Sequence, residues 1–100
     1  MSSCEPSSIG ERLRLTRQVS GLGQGEFGRR AGLAANTYNQ LEQGKKRSSL
    51  QNAIALCEAY DLTLDWIYRG DVSGLPYKLV DAIMALENAR TQQKLYKPQR

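Results

Sequence analysis

Residues 24–43 read QGEFGRRAGLAANTYNQLEQ, and this pattern predicts two short helices joined by a tight turn. Apolar and small residues recur there at three- and four-residue steps, as required where two helices cross at a steep angle. Gly28 lies where the helices would approach most closely, because a side chain there would push them apart. Gly32 ends the first helix, where a left-handed residue lets the chain turn within about four residues. The stretch therefore predicts two helices packed across a sharp corner.

The second of these helices carries a row of amide side chains. If its apolar positions face the first helix, its outward positions are Asn36, Asn39, Gln40 and Gln43. Amide side chains pair bidentately with adenine edges in the major groove of DNA. The pattern therefore predicts that this helix reads double-stranded DNA.

The remaining sequence predicts four further helices and an all-α fold. The six predicted helices cover residues 9–20, 24–31, 36–43, 49–60, 64–69 and 77–95. Ser8 with Glu11, and Ser48 with Gln51, have the spacing of capping boxes, and Thr63 can cap the fifth helix. The first five helices form a compact domain, to which the sixth is an addition at the C-terminal side.

The predicted organisation is one folded domain with flanking segments. Its parts are a flexible tail over 1–7, the five-helix domain over 8–70, a linker over 71–76, the additional helix over 77–95 and a basic tail over 96–100. The apolar stripe of the helix over 77–95 has two alternative uses. The helix either folds back on the bundle or packs against a second copy as a dimerisation element.

Composition narrows the possible functions. The chain has no histidine, and its two cysteines lie too far apart in sequence for a metal or redox motif. No group of side chains suited to acid–base, covalent or metal chemistry is apparent, so we expect neither an enzyme nor a bound cofactor or metal. No signal segment or membrane-spanning run is present, which favours a cytoplasmic protein that makes no membrane contact.

Charge is unevenly distributed along the chain. Residues 1–47 carry eight Lys and Arg against four Asp and Glu, residues 48–77 carry one against four, and residues 78–100 carry five against two. A basic half that coincides with a proposed reading helix is the electrostatic pattern expected of a surface that binds phosphates.

Residues 9–70 resemble the helix-turn-helix family of phage repressors and Cro, also called the XRE family. The resemblance rests on the segments IGERLRLTRQ, LGQGEFGRRAG, NTYNQLEQGKKRSSL and LTLDWIYRG, in that order. It implies a bacterial or phage-encoded, nucleoid-associated regulator that binds operator DNA, usually as a homodimer.

The resemblance also implies roles for individual residues. The positions that would contact bases are Ala35, Asn36, Asn39 and Gln40. The positions that would contact phosphates are Gln24, Thr37, Tyr38, Gln43, Lys45, Lys46 and Arg47. Tyr38 stands where relatives have a β-branched residue, so its ring must either reach past the core edge or bring its hydroxyl to a phosphate.

Two further features follow from the resemblance. Arg17 and Glu42 occupy positions that form an ion pair in several relatives, which would explain a charge on the inward stripe of the first helix. Gly23 and Ala34 stand where relatives have Ser or Thr as helix caps, and a missing cap at Ala34 costs about 1 kcal/mol.

A second class of function remains open from the sequence. A small helical domain of this kind can serve as a protein-interaction module, such as an antitoxin whose segment 77–95 covers a toxin and whose DNA binding is autoregulatory. The use of the apolar stripe of that helix distinguishes the two classes.

Overall fold

Six α-helices account for most of the chain in a computed structural model, which describes residues 5–95 and the side chains of residues 5–89. The helices are α1 (Pro6–Ser20), α2 (Gln24–Arg30), α3 (Ala35–Glu42), α4 (Leu50–Tyr60), α5 (Leu64–Arg69) and α6 (Tyr77–Leu95). No strand occurs within residues 5–95, so the predicted all-α class is confirmed. The tail predicted over 96–100, and residues 1–4 of the tail predicted over 1–7, lie outside the described residues.

Helix α1 begins three residues earlier than predicted. Pro6 is its first residue and Glu5 its N-cap, which makes no side-chain hydrogen bond to the helix. The capping box predicted for Ser8 and Glu11 is therefore wrong, because Ser8 lies inside the helix. A proline is favoured in a first helical turn, where its missing N–H leaves no hydrogen bond unmade and its φ is already helical.

Side-chain caps define the starts of α4 and α5. Ser49, and not the predicted Ser48, caps α4 by accepting a hydrogen bond from the Asn52 N–H at 3.1 Å. Thr63 caps α5 as predicted, accepting from the Trp66 N–H at 3.0 Å. Ser48 is instead buried, and its carbonyl accepts a hydrogen bond from the Tyr68 hydroxyl at 3.2 Å.

The core joins apolar residues from every helix. Its fully or almost fully buried members include Ile9, Leu13, Leu15, Phe27, Tyr38, Leu41, Ala53, Leu56, Trp66, Ile67 and Ile83. Polar contacts tie α1 to α5: the Trp66 indole donates to the Thr16 hydroxyl at 3.0 Å, and the Arg12 guanidinium donates to the Ile67 carbonyl at 2.5 Å. These bonds hold α5 against α1, on which α3 and α6 also pack.

The buried stripe of α4 is narrower than the sequence pattern predicted. The three- and four-residue apolar spacing of α4 predicts that Leu50 and Ile54 face the core, but these residues are 58% and 40% exposed. Ala53 and Leu56 are the buried positions of α4, and Cys57 and Tyr60 pack partly against the same core.

Helix α6 folds back on α1. Ile83 is fully buried against the bundle, and Leu79, Val80 and Leu86 pack partly against the same core. Tyr77 lies outside this contact and is 78% exposed. Within the described residues, no helix combines the length and apolar character needed to cross a membrane.

Candidate nucleic-acid interface

The corner between α2 and α3 depends on two glycines, one at a close contact and one in a left-handed turn. A Cβ added to Gly28 would lie 2.7 Å from the Cβ of Tyr38, so the two helices approach more closely than a side chain allows. Gly32 has φ +83°, in the left-handed region, and the Leu33 N–H bonds back to the Gly28 carbonyl at 2.9 Å. This short turn holds α3 against α2 by backbone contacts.

Helix α3 has a buried face and an accessible face. Tyr38, Leu41 and Glu42 are buried. The accessible positions comprise the exposed Ala35, Asn36 and Gln43 and the half-buried Thr37, Asn39 and Gln40. The side chains predicted to contact bases therefore share one surface of α3.

One hydrogen bond organises the amides on this surface. The Gln43 side-chain N–H donates to Asn39 Oδ1 at 3.2 Å, one helical turn away. With its oxygen engaged, Asn39 has its amide N–H groups left for an outside acceptor. Asn36 and Gln40 make no side-chain hydrogen bond among the described residues that would draw them inward. The surface thus offers both donors and acceptors to a base edge.

A basic loop follows α3 directly. Lys45, Lys46 and Arg47 are all exposed. The Lys45 N–H bonds to the Gln40 carbonyl at 3.0 Å, and Gly44 turns the chain with φ +76° against Ser7 of α1. The loop is therefore held at the end of α3, with its three cations beside the amide surface.

The cations of α2 are already paired. Arg29 and Arg30 donate to the two carboxylate oxygens of Glu26 at 2.5 and 2.7 Å. These hydrogen bonds lower the pKa of Glu26 to about 2. Part of the basic charge in residues 1–47 is thus neutralised locally, whereas Lys45 and Lys46 lie exposed in the loop that follows α3.

Glu42 is the centre of a buried polar cluster behind this surface. Arg17 Nε donates to its Oε2 at 2.6 Å and Arg17 Nη2 to its Oε1 at 3.2 Å. The Gln24 amide N–H donates to Oε1 at 2.6 Å, and the Tyr38 hydroxyl donates to Oε2 at 2.7 Å. The Glu42 side chain has no exposed surface and the Arg17 side chain is 18% exposed. One carboxylate thereby joins α1, α2 and α3.

The cluster keeps Glu42 ionised although it is buried. Burial by itself would raise the pKa of the carboxyl group, but hydrogen bonds from Arg17, Gln24 and Tyr38 outweigh burial and hold the pKa below its ordinary value. The pKa of Tyr38 is raised, first by burial and then by the hydrogen bond to Glu42. At neutral pH the cluster therefore contains a carboxylate, a guanidinium and a neutral phenol.

Tyr38, which the resemblance placed among the positions that would contact phosphates, is buried, so its hydroxyl does not reach the protein surface. Its side chain has no exposed surface, and its hydroxyl lies inside the cluster against Glu42, 3.4 Å from the Leu13 carbonyl. Its ring lies 5.2 Å from that of Phe27. The larger residue is accommodated because Gly28 leaves room for its Cβ and Glu42 accepts its hydroxyl.

Gln24 is partly turned inward. The sequence assigned its amide to a phosphate, and in the structure one amide N–H is given to Glu42 while the side chain remains half exposed. The second N–H and the amide oxygen have no partner among the described side chains. Gln24 can therefore bind Glu42 and an outside acceptor at the same time.

Sequence reasoning missed two residues of α1 that lie close to Glu42. Gly10 of α1 lies directly on the α3 backbone, where a Cβ would be 2.5 Å from the Glu42 carbonyl oxygen. Arg14 has its Nε 4.0 Å from Glu42 Oε1, beside Gln24, and is 41% exposed. Gly10 lies four residues before Arg14, and Arg14 lies three residues before Arg17, so the three residues share one face of α1. This spacing was the sequence signal that could have identified Gly10 and Arg14.

Comparison with known protein families identifies the family to which this domain belongs. A family model described as a helix-turn-helix domain matches residues 8–66, which span α1 to α4 and the first part of α5. The chain belongs to this family. No curated protein and no solved structure matches the chain.

The family assignment agrees with the resemblance to phage repressors and Cro. In a helix-turn-helix domain the second helix of the motif enters the major groove, and the first crosses the backbone. Here those elements are α3 and α2. Helix α6 lies outside the matched residues.

Proposed function

We propose that the protein is a sequence-specific regulator of transcription that binds double-stranded operator DNA as a dimer and acts as a repressor. The observation that carries the proposal is the accessible amide surface of α3, Asn36, Asn39 and Gln40, held outside a helix-turn-helix core. A protein that acts on bacterial or phage DNA works in the cytoplasm with the nucleoid.

The proposed mechanism separates positioning from reading. Gln24, Thr37 and Gln43, together with the loop over 45–47, contact phosphates and fix the domain on the duplex. Ala35, Asn36, Asn39 and Gln40 meet the base edges in the major groove. The buried cluster around Glu42 holds α3 against α1 and α2, so the side chains that meet the bases project from a helix in a fixed position.

The dimeric state is proposed on geometric grounds. One copy presents a single short reading helix of eight residues, which covers few base pairs. Two copies related by a two-fold axis would place their α3 helices about 34 Å apart, one turn of DNA, and would read a two-fold-related operator. Sedimentation with and without a selected duplex measures the number of copies bound.

Base reading is tested by selection from a random pool of duplexes. The recovered sequence is then bound by wild type, Gln40→Ala and the control Asn88→Ala, in which an exposed amide of α6 is removed instead. The ratio of affinities for the selected and a scrambled duplex should fall about tenfold to a hundredfold in Gln40→Ala and remain unchanged in the control.

Phosphate contact is tested by the dependence of affinity on salt. Lys46→Ala should lower the slope of log affinity against log salt by about 0.9 with little change in sequence preference. Lys78→Ala, at an exposed lysine of α6, is the matched control. A relaxed preference in Lys46→Ala with an unchanged salt slope would contradict the assigned roles, and wild type that ignores every duplex at low salt would contradict the function.

A further inference from the structure

Glu42 makes more hydrogen bonds than an ion pair with Arg17 requires. Its two oxygens also accept from Tyr38 of α3 and from Gln24, the first residue of α2. The Gln24 bond is short, 2.6 Å, and it reaches a carboxylate that has no exposed surface. The buried charge is therefore connected to a side chain that reaches the protein surface.

This contact determines which way the Gln24 amide faces. A carboxylate only accepts hydrogen bonds, so the NH₂ end of the amide must face Glu42 and the amide oxygen must face away. The same nitrogen carries a second N–H, which points away from Glu42 in the plane of the amide. Because Glu42 is buried and Gln24 is half exposed, the direction away from Glu42 leads towards solvent.

Arg17 makes the arrangement compatible with a nearby anion. A lone carboxylate behind Gln24 would repel a phosphate, but the guanidinium of Arg17 binds both oxygens of Glu42 and cancels its charge. Arg14, half exposed, lies 4.0 Å from Glu42 Oε1 and 4.0 Å from Glu11 Oε1. Each carboxylate near Gln24 thus has a cation beside it, so the surroundings of Gln24 do not repel an anion.

We propose that Glu42 is a positioning residue for DNA binding, which fixes the Gln24 amide as an outward hydrogen-bond donor to one backbone phosphate. This inference rests on the proposed function, since it specifies how one phosphate is held. Glu42 acts through Gln24 and does not touch DNA. Glu42 thus links the orientation of the Gln24 amide on α2 to the position of the reading helix α3.

A double-mutant cycle tests the coupling. Gln24→Ala, Glu42→Gln and the double variant are compared with wild type for binding to the selected duplex, with folding checked by circular dichroism at the binding temperature. Loss of a hydrogen bond to a charged group should weaken binding about tenfold to a hundredfold in each single variant. The double variant should be no weaker than the weaker single variant, because both changes remove the same contact.

Two readouts separate positioning from simple loss of structure. The salt slope should stay as in wild type for Gln24→Ala, because an amide neutralises no phosphate charge. A duplex with one neutral methylphosphonate linkage at the contacted phosphate should bind wild type more weakly but leave Gln24→Ala unaffected. Losses that multiply in the double variant would overturn the inference.

A measurement on wild type avoids dependence on the Glu42 variant. In nuclear magnetic resonance spectra the two Nε2 protons of Gln24, assigned by their absence in Gln24→Ala, should be separated by more than those of the exposed Gln51, because the carboxylate shifts the proton that it binds. Adding the selected duplex should move mainly the other proton. A separation of the Gln24 protons no larger than that of the exposed Gln51 would overturn the inference, whereas wild type that binds no duplex would instead overturn the proposed function.

Discussion

A substitution at Gly10, where α1 and α3 cross, gives the most direct test of the packing between these two helices. A Cβ at this position would lie 2.5 Å from the carbonyl oxygen of Glu42 and 2.7 Å from that of Leu41. Both atoms are backbone, so no side-chain rotation can relieve the contact. Gly10→Ala must therefore move α1 and α3 apart.

Two opposing effects decide how much Gly10→Ala changes the free energy of unfolding. Alanine in place of glycine within a helix contributes about 1 kcal/mol of stability. Overpacking of a close contact costs about 1–3 kcal/mol, and the upper end applies here because two backbone segments must separate. The same separation stretches the hydrogen bonds between Arg17 and Glu42. We expect a net loss of about 2 kcal/mol, which lowers the melting temperature of a chain this size by about 8–16 °C.

Urea denaturation measures this loss, and α2 provides a matched control. Gly25 is also helical, but a Cβ there meets nothing within 4 Å. Gly25→Ala should therefore raise the free energy of unfolding by up to about 1 kcal/mol. If Gly10→Ala proves as stable as wild type while Gly25→Ala behaves as expected, the close approach of α1 and α3 is not as described.

Three further predictions concern the cluster behind the interface. Because the pKa of Tyr38 is raised by burial and by its hydrogen bond to Glu42, the free energy of unfolding should fall as pH rises above about 10; Tyr38→Phe should lack that part of the fall in urea titrations at several pH values. Because the pKa of Glu42 is lowered, its stabilisation should be present above about pH 4.5 and lost as pH falls through the folded-state value. Glu42→Gln should lose that acid dependence, and its free energy of unfolding at pH 7 should fall by about 3 kcal/mol, since Arg17 is left without its charge partner. A variant whose stability depends on acidic pH as wild type does would contradict this. Arg14→Gln should lower the salt slope of DNA binding by about 0.9 if Arg14 meets a phosphate, and an unchanged slope would exclude that contact.

Local sequence determined most of the secondary structure. Glycine at the ends of helices, Thr63 as a cap, and apolar residues at three- and four-residue steps identified all six helices and the all-α class. These signals are readable because they act within one or two turns of the chain. The amide surface of α3 followed for the same reason, since its outward positions are set by helical periodicity once its apolar face is known.

Tertiary contacts decided what periodicity could not. Tyr38 has its hydroxyl on Glu42 and not at the surface because Gly28 admits its Cβ and a carboxylate four residues on accepts its bond. Leu50 fits the apolar stripe of α4 yet remains exposed, because burial depends on which neighbours cover a face. Gly10 and Gln24 acquire their roles only where α1, α2 and α3 meet at Glu42. The sequence thus determined the helices and the accessible amide surface of α3. The polar cluster that joins α1, α2 and α3 forms only when distant residues share a buried site, where unpaired charges are costly.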